Sequence, residues 1–379
     1  MPELGPNQSL IDIPGSRNAL TTPALVLDLD AFERNLTTHA KLCGESGLRL
    51  RPHAKTHKCS EIAKRQIAAG AVGVCCATLH EATVMVEAGI SGVLITSPVV
   101  GAAKVNRLVA LNKKADKLKL VADNSINVSD LSDTAGREST ELDLLIDIDI
   151  GMQRTGVHAA DEIVRLARLA DDSPNLNYRG VQAYSGRVQH IEDYGSREKE
   201  YGEQLDHLQK CLDALADAQL KPSIITGGGT GTHAIDRSRK IFTEHQTGSY
   251  IFMDVEYNAV ELVAGDTSPF ATSLFMQCSV VSNNADGFVT IDGGYKCFAT
   301  DGPKPEVSTD SLPGADYDRF GDEHGKIVIA DQSQKPVIGT PVTLITPHCD
   351  PTINLHNYLH CVRGDKLVDI WAIDARGVL

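Results

Sequence analysis

The chain lacks the signals that would send it to a membrane or a nucleic acid. No apolar run approaches the ~20 residues of a membrane-spanning helix. The opening MPELGPNQSLIDIPGSRN does not show the basic-then-apolar order of an export signal. Basic residues are in deficit, 36 Lys and Arg against 50 Asp and Glu, for a formal charge of −14. Such a field repels phosphate backbones and anionic bilayers, which excludes nucleic acid and membrane as main partners. Paired cysteines are also missing. None of the nine forms a CxxC, and only Cys75 and Cys76 are adjacent. An odd count without an export signal reads as reduced thiols in the cytoplasm. There is no internal repeat and no low-complexity tract.

What is present is ordinary for a soluble protein of more than one small domain: 379 residues, 42% hydrophobic and 23% charged. Strand-like runs recur at 48–54, 72–77, 93–97, 118–123, 142–150, 178–184, 222–229 and 248–254. Helical patterns such as ADEIVRLARLADD lie between most of them. Strand then helix, repeated eight times, is the rhythm of a (β/α)₈ TIM-type barrel; a doubly wound open sheet is the alternative. Past residue 255 the runs are strands separated by turns, which predicts an all-β domain. One strand, in TPALVLDLD, is left over at the start and is expected to join that domain. The expected spans are therefore 1–36 as an N-terminal segment, 37–255 as the barrel and 256–379 as the β domain.

Three stretches carry chemistry. RPHAKTHK places Lys55 at a strand end, where barrel active sites gather. A lysine there is either a solvated surface charge or an amine able to form a Schiff base with an aldehyde. TGGGTGTH (226–233) follows the seventh expected strand. It is either a plain glycine turn or a nest of backbone N–H groups for a phosphate. No Lys-Ser/Thr follows it, so it is not a Walker loop. PHCDPTINLH offers His348 and Asp350, which an extended segment would direct to one face with Cys349 on the other. An imidazole with a carboxylate suits a divalent metal with open positions. Together the three suggest pyridoxal phosphate on the barrel and a metal brought by the β domain.

RPHAKTHKCSEIAKRQ, VGVCCATLHEATVMVEAGI, GVQAYSGRVQH, TGGGTG, TGSYIFMD, DEHG and PHCDPTINLH together resemble the D-threonine aldolase and D-3-hydroxyaspartate aldolase family. This is a branch of the alanine-racemase-like, fold-type III pyridoxal phosphate enzymes that also include D-serine dehydratase. The resemblance runs from about residue 20 to the end. It implies a homodimer of two-domain subunits acting on a small-molecule amino acid. It makes Lys55 the lysine that carries pyridoxal 5'-phosphate and Lys58 a bystander. His53 and His57 either shape the pocket or are structural. Arg154 in GMQRTG is placed near the cofactor ring and Tyr184 beside it. Gly228, Gly229, Thr230, Gly231, Gly248, Ser249 and Tyr250 are given to the cofactor phosphate. His348 and Asp350 match the metal ligands, and His190 matches a base. The dehydratases carry histidine and cysteine at the metal positions. Asp350, a harder ligand, favours manganese or magnesium over zinc, with zinc or calcium as alternatives, and aldolase over dehydratase. The activity implied is retro-aldol cleavage of a D-β-hydroxy-α-amino acid to glycine and an aldehyde.

Overall fold

The computed structural model describes residues 4–377; residues 1–3 and 378–379, at the ends of the outer expected spans, lie outside the described residues. The first strand, β1 (Ala24–Asp28), is apolar at four consecutive positions and buried at all four. A strand with two buried faces needs a neighbour on each edge and cover on each side. Asp28 ends it and starts α1 (Leu29–Glu45), its carboxylate accepting from the Ala31 N–H at 3.0 Å.

The parallel strands then alternate with helices. The strands are β2 (Arg49–Leu50), β3 (Cys75–Cys76), β4 (Leu94–Ile95), β5 (Lys119–Ala122), β6 (Leu142–Ile148), β7 (Leu176–Ala183), β8 (Ile224–Gly227) and β9 (Glu244–His245). Between them run α2 (Ser60–Ala68), α3 (Leu79–Glu87), α4 (Ala102–Asn112), α5 (Ser125–Arg137), α6 (Ala160–Asp172), α7 (Tyr194–Asp217) and α8 (His233–Arg239). The ring runs from β3 through β9 to β2 and closes through a parallel bridge between His53 and Cys75. Cys75, Leu94, Val121, Leu145 and Ile224 pack as one apolar layer inside it. The eight-stranded barrel is thus observed, with Cys75 and Cys76 buried in it.

Its last strand lies upstream of the expected 248–254. That strand is β9, whose two side chains, Glu244 and His245, are polar yet fully buried. Hydropathy cannot see such a strand. The expected stretch instead forms a single 3₁₀ turn, Ser249–Ile251.

After α9 (Val255–Asn258) come β10 (Leu274–Ser282), β11 (Phe288–Ile291), β12 (Glu306–Val307), β13 (Asp316–Arg319), β14 (Gly325–Val328) and β15 (Pro341–Ile345). A short α10 (Cys349–Ile353) leads into β16 (Tyr358–Arg363) and β17 (Lys366–Ala372). β1 sits inside this sheet, antiparallel to β10 with Val26 opposite Phe275, and parallel to β16 with Val26 opposite His360. The leftover strand is therefore central to the second sheet. Its partner β16 was not read from the sequence.

The barrel seam is held by a buried ion pair. Arg51 donates to Glu244 at 2.7 and 3.0 Å and also to the Gly92 carbonyl, tying β2 to β9 and to the turn before β4. Both side chains are at most 3% exposed. Removing one partner of such a pair leaves an uncompensated charge, at a cost of about 3–5 kcal/mol. Glu244→Gln is expected to unfold at a markedly lower urea midpoint; an unchanged midpoint would show that the pair does not hold the seam.

Candidate active site

Lys55 stands on a one-turn helix (Ala54–Thr56) just past β2, at the mouth where the strands end. His53 positions it. Its Nδ1 accepts from the Lys55 N–H at 3.4 Å, and its Nε2 meets Thr96 Oγ1 at 3.1 Å. Thr96 gives its own proton to the Cys76 carbonyl at 3.1 Å, so Nε2 of His53 is the protonated nitrogen. Burial, then the Lys55 charge, lowers the His53 pKa well below its usual value, and the ring is neutral. His57 is a structural histidine: Nδ1 accepts from the Cys59 N–H at 3.1 Å, and burial pushes its pKa down to about 4. Lys58 turns away on a left-handed residue (φ 48°) to Glu81, 2.6 Å distant. The two lysines of RPHAKTHK therefore face different environments.

Lys55 Nζ is paired with Asp350 Oδ2, across the junction of barrel and β domain. Burial pulls the Lys55 pKa down, but the Asp350 carboxylate outweighs it and the net shift is upward. For Asp350, burial raises the pKa and the Lys55 charge lowers it more. Both groups are charged at neutral pH.

Next to Lys55 is a cavity of about 290 Å³ walled by His53, Thr96, Arg154, Gln182, Tyr184 and Gln246. Arg154 lies 5.7 Å from the Tyr184 ring centroid. The loop that carries Arg154 is shaped by Asp149, which accepts from the N–H groups of Gly151, Met152 and Gln153 at 2.8–3.0 Å. The glycine loop after β8 is moulded from below. Gly228 has φ +71°, and a Cβ there would fall 2.4 Å from Asp236 Oδ2. At Gly231 a Cβ would fall 2.0 Å from the Gln189 carbonyl.

The loop is not the open nest expected. Gly229 N–H donates to Thr232 Oγ1 at 3.1 Å and Gly231 N–H to Gln189 Oε1 at 2.9 Å. Thr230 accepts from the Tyr250 N–H at 3.1 Å, joining this loop to the Gly248–Ser249–Tyr250 turn. Tyr250 takes part through its main chain. Its ring is fully buried against His39 and Phe270, away from the cavity, because it anchors the turn in the core.

The metal motif also differs from the extended segment expected. His348 is the N-cap of α10, and Asp350 lies in its first helical turn. Cys349 is fully buried, and its Sγ lies 3.5 Å from Asp350 Oδ1. Two carboxylates missed in the sequence organise this motif. Asp254 accepts from the Cys349 N–H and the Tyr257 N–H, both at 2.8 Å. Burial raises its pKa to about 6, with the two N–H groups opposing. Asp301 Oδ2 lies 2.9 Å from His348 Nδ1, an outer carboxylate that orients the ring and leaves Nε2 for a ligand. No spacing signal links Asp301 to His348, 47 residues on; Asp254 sits in the noted YIFMD but carried no signal of its own.

His190 faces the same opening. Its ring centroid lies 4.7 Å from Tyr257 and 6.4 Å from His348. Its Nδ1 is 3.5 Å from Glu256 Oε1 but makes no hydrogen bond. Burial lowers its pKa despite Glu256, so it is a free base at neutral pH. Structure thus gathers Lys55, Arg154, Tyr184, His190, His348 and Asp350 around one mouth.

A barrel with a lysine at its mouth, capped by a β domain bearing His348 and Asp350, defines an alanine-racemase-like enzyme. Residues 27–256 match the family model of the alanine racemase N-terminal domain, and residues 273–362 that of a putative serine dehydratase domain. The chain is 38% identical over 356 residues to D-threonine aldolase of Arthrobacter sp., covering 94% of this chain and 93% of that protein. It is 34% identical over 370 residues to 3-hydroxy-D-aspartate aldolase of Paracoccus denitrificans (strain Pd 1222), covering 96% and 95%. The crystal structure of D-threonine aldolase from Filomicrobium marinum matches with a TM-score of 0.91 at 38% identity, covering 95% of this chain and 96% of that one. The chain belongs to this family of aldolases within the alanine-racemase-like pyridoxal phosphate enzymes, and it is a lyase.

The two N–H groups meet different oxygens of Asp254, and asparagine would turn an NH2 donor toward one of them. Asp254→Asn is expected to shift residues 348–350. A displacement near 1 Å costs about a hundredfold in rate. Turnover should fall by that order, while the visible absorbance of lysine-bound cofactor persists. An unchanged kcat would remove Asp254 from the site.

Proposed function

We propose that this protein is a pyridoxal phosphate- and divalent metal-dependent aldolase that cleaves D-β-hydroxy-α-amino acids of the D-threonine kind to glycine and an aldehyde. The observation that carries the reading is the meeting of Lys55 with Asp350: the amine for the cofactor and the carboxylate for the metal address the same space.

The residues present fit both groups. Lys55 would hold the aldehyde carbon of the cofactor, with Arg154 and Tyr184 beside its ring in the 290 Å³ cavity. The loop at Gly228–Gly231 and the Gly248–Ser249 turn would hold its phosphate through main-chain N–H groups other than those of Gly229 and Gly231, which Thr232 and Gln189 already occupy. The cofactor supplies a sink for the electron pair left on Cα. A divalent ion on His348 and Asp350 would supply Lewis acidity toward a hydroxyl. The carboxylate supports manganese or magnesium before zinc.

The chain's own groups then do the following. His190, neutral at pH 7, takes the proton of the β-hydroxyl on Nε2, because Nδ1 faces Glu256. Glu256 stabilises the imidazolium that forms. The O–H pair becomes the aldehyde carbonyl, the Cα–Cβ pair stays on Cα, and the proton taken up by His190 is returned to Cα, directly or through solvent, to complete glycine. Asp301 and Asp254 keep His348 and Asp350 in place throughout. The D configuration and a homodimer are supported by the family resemblance, and a cytoplasmic location by nine cysteines that form no disulfide. The match of residues 273–362 to a serine dehydratase domain supports a second reading, β-elimination to a 2-oxo acid and ammonia.

Product analysis on a panel of D-β-hydroxy-amino acids separates the two. Glycine with an aldehyde, abolished by a chelator that leaves the cofactor absorbance intact, is expected; an oxo acid with ammonia, or full activity after exhaustive chelation, would overturn the proposal. Lys55→Ala should lose the visible absorbance of bound cofactor, and Lys58→Ala should keep it. The reverse pattern would move the cofactor to Lys58.

A further inference from the structure

We infer that His39, Cys43 and His245 form a second metal site, distinct from His348 and Asp350 and suited to zinc. Among the described residues this is the one cluster of three metal-type side chains in which a donor atom of each lies within 4.8 Å of the other two. All three residues are at most 1% exposed.

His39 and Cys43 are four apart on α1, hence on one face. His39 Nε2 already stands 3.5 Å from Cys43 Sγ and shares a 2.8 Å hydrogen bond with Thr247 Oγ1, which a metal would have to displace. With Zn–N near 2.0 Å and Zn–S near 2.3 Å, the edge of a tetrahedral site is about 3.5 Å. That edge is therefore in place, and His245 needs to close by about 1.5 Å at most to complete the face.

The groups around the three residues are those a metal requires. His245 Nε2 is 3.0 Å from Asp236 Oδ2, the carboxylate–histidine arrangement that turns the other ring nitrogen toward a metal. That other nitrogen, His245 Nδ1, is buried without a hydrogen-bond partner among the described residues. Both nitrogens of His233 are in the same condition. Buried polar atoms are normally satisfied, and three such atoms on two rings that neighbour His39 are a specific anomaly. His233, with its ring centroid 6.1 Å from that of His39, is the available fourth donor. The donor set of imidazoles with one thiolate is softer than His348 with Asp350 and selects zinc over manganese or magnesium.

Binding would displace the proton of the Cys43 thiol. The site would be structural. Asp236 also accepts from Tyr201 at 2.8 Å and Thr232 at 2.7 Å and lies directly under Gly228, so an ion here would stiffen the glycine loop.

The test uses the full chain loaded with pyridoxal phosphate and zinc, then dialysed against a chelator. Wild type is expected to retain one zinc per subunit, with X-ray absorption showing one sulfur and the remainder nitrogen. Cys43→Ser should lose that zinc and Cys349→Ser should keep it. No retained zinc, retention in Cys43→Ser, loss in Cys349→Ser, or a shell without sulfur would each overturn the site. If Cys43→Ser does not fold, the wild-type shell still decides.

Discussion

The Asp254 carboxylate is the point on which the site depends. One of its oxygens caps α9, where the chain leaves the barrel, and the other holds the Cys349 N–H, where the metal motif begins. The adjoining main chain follows suit: Val255 N–H meets the Thr346 carbonyl at 3.0 Å. A buried charge accepting two N–H groups has steep directional demands, because each lost bond leaves a desolvated group unpaired. The β domain is thereby set against the barrel in one register. Without that register, Lys55 and Asp350 would belong to two unrelated surfaces.

Buried carboxylates divide the work by what each one faces. Asp254 faces neutral N–H donors, and burial dominates, so its pKa rises to about 6. Asp350 faces the Lys55 charge, which overcomes burial and pushes its pKa down. Glu244 is matched by Arg51 at the far end of the barrel, where such a pair bears on stability. The same functional group thus serves as a hinge pin, as a proposed ligand and as a seam, and environment alone assigns the role.

Much of the barrel was legible because its strands are continuous apolar runs that burial on both faces requires. The failures have physical causes. β9 is two buried polar residues, Glu244 and His245, paired with Arg51 far upstream and with Asp236 on the preceding helix, so no apolar run or alternation marks the strand. α10 was read as extended because HCD was taken in isolation. In place, the Asp254 carboxylate draws in the Cys349 N–H, and the chain turns into a helix. The family resemblance gives Tyr250 to the cofactor phosphate; here its main-chain N–H joins the glycine loop, while its ring packs in the core on His39 and Phe270.

By itself the sequence determined the periodic elements, the family and the residue types able to do the chemistry: a strand-end lysine, a glycine loop, an imidazole and a carboxylate. These are local properties of short segments, and local patterns carry them. Only the tertiary structure decided which side chains share a space. It set Lys55 against Asp350, 295 residues apart, placed Asp301 behind His348, and gathered His39, Cys43, His233 and His245 under Gly228. Such meetings follow from how two sheets pack and how each buried polar group finds its partner. That accounting closes only over the whole chain.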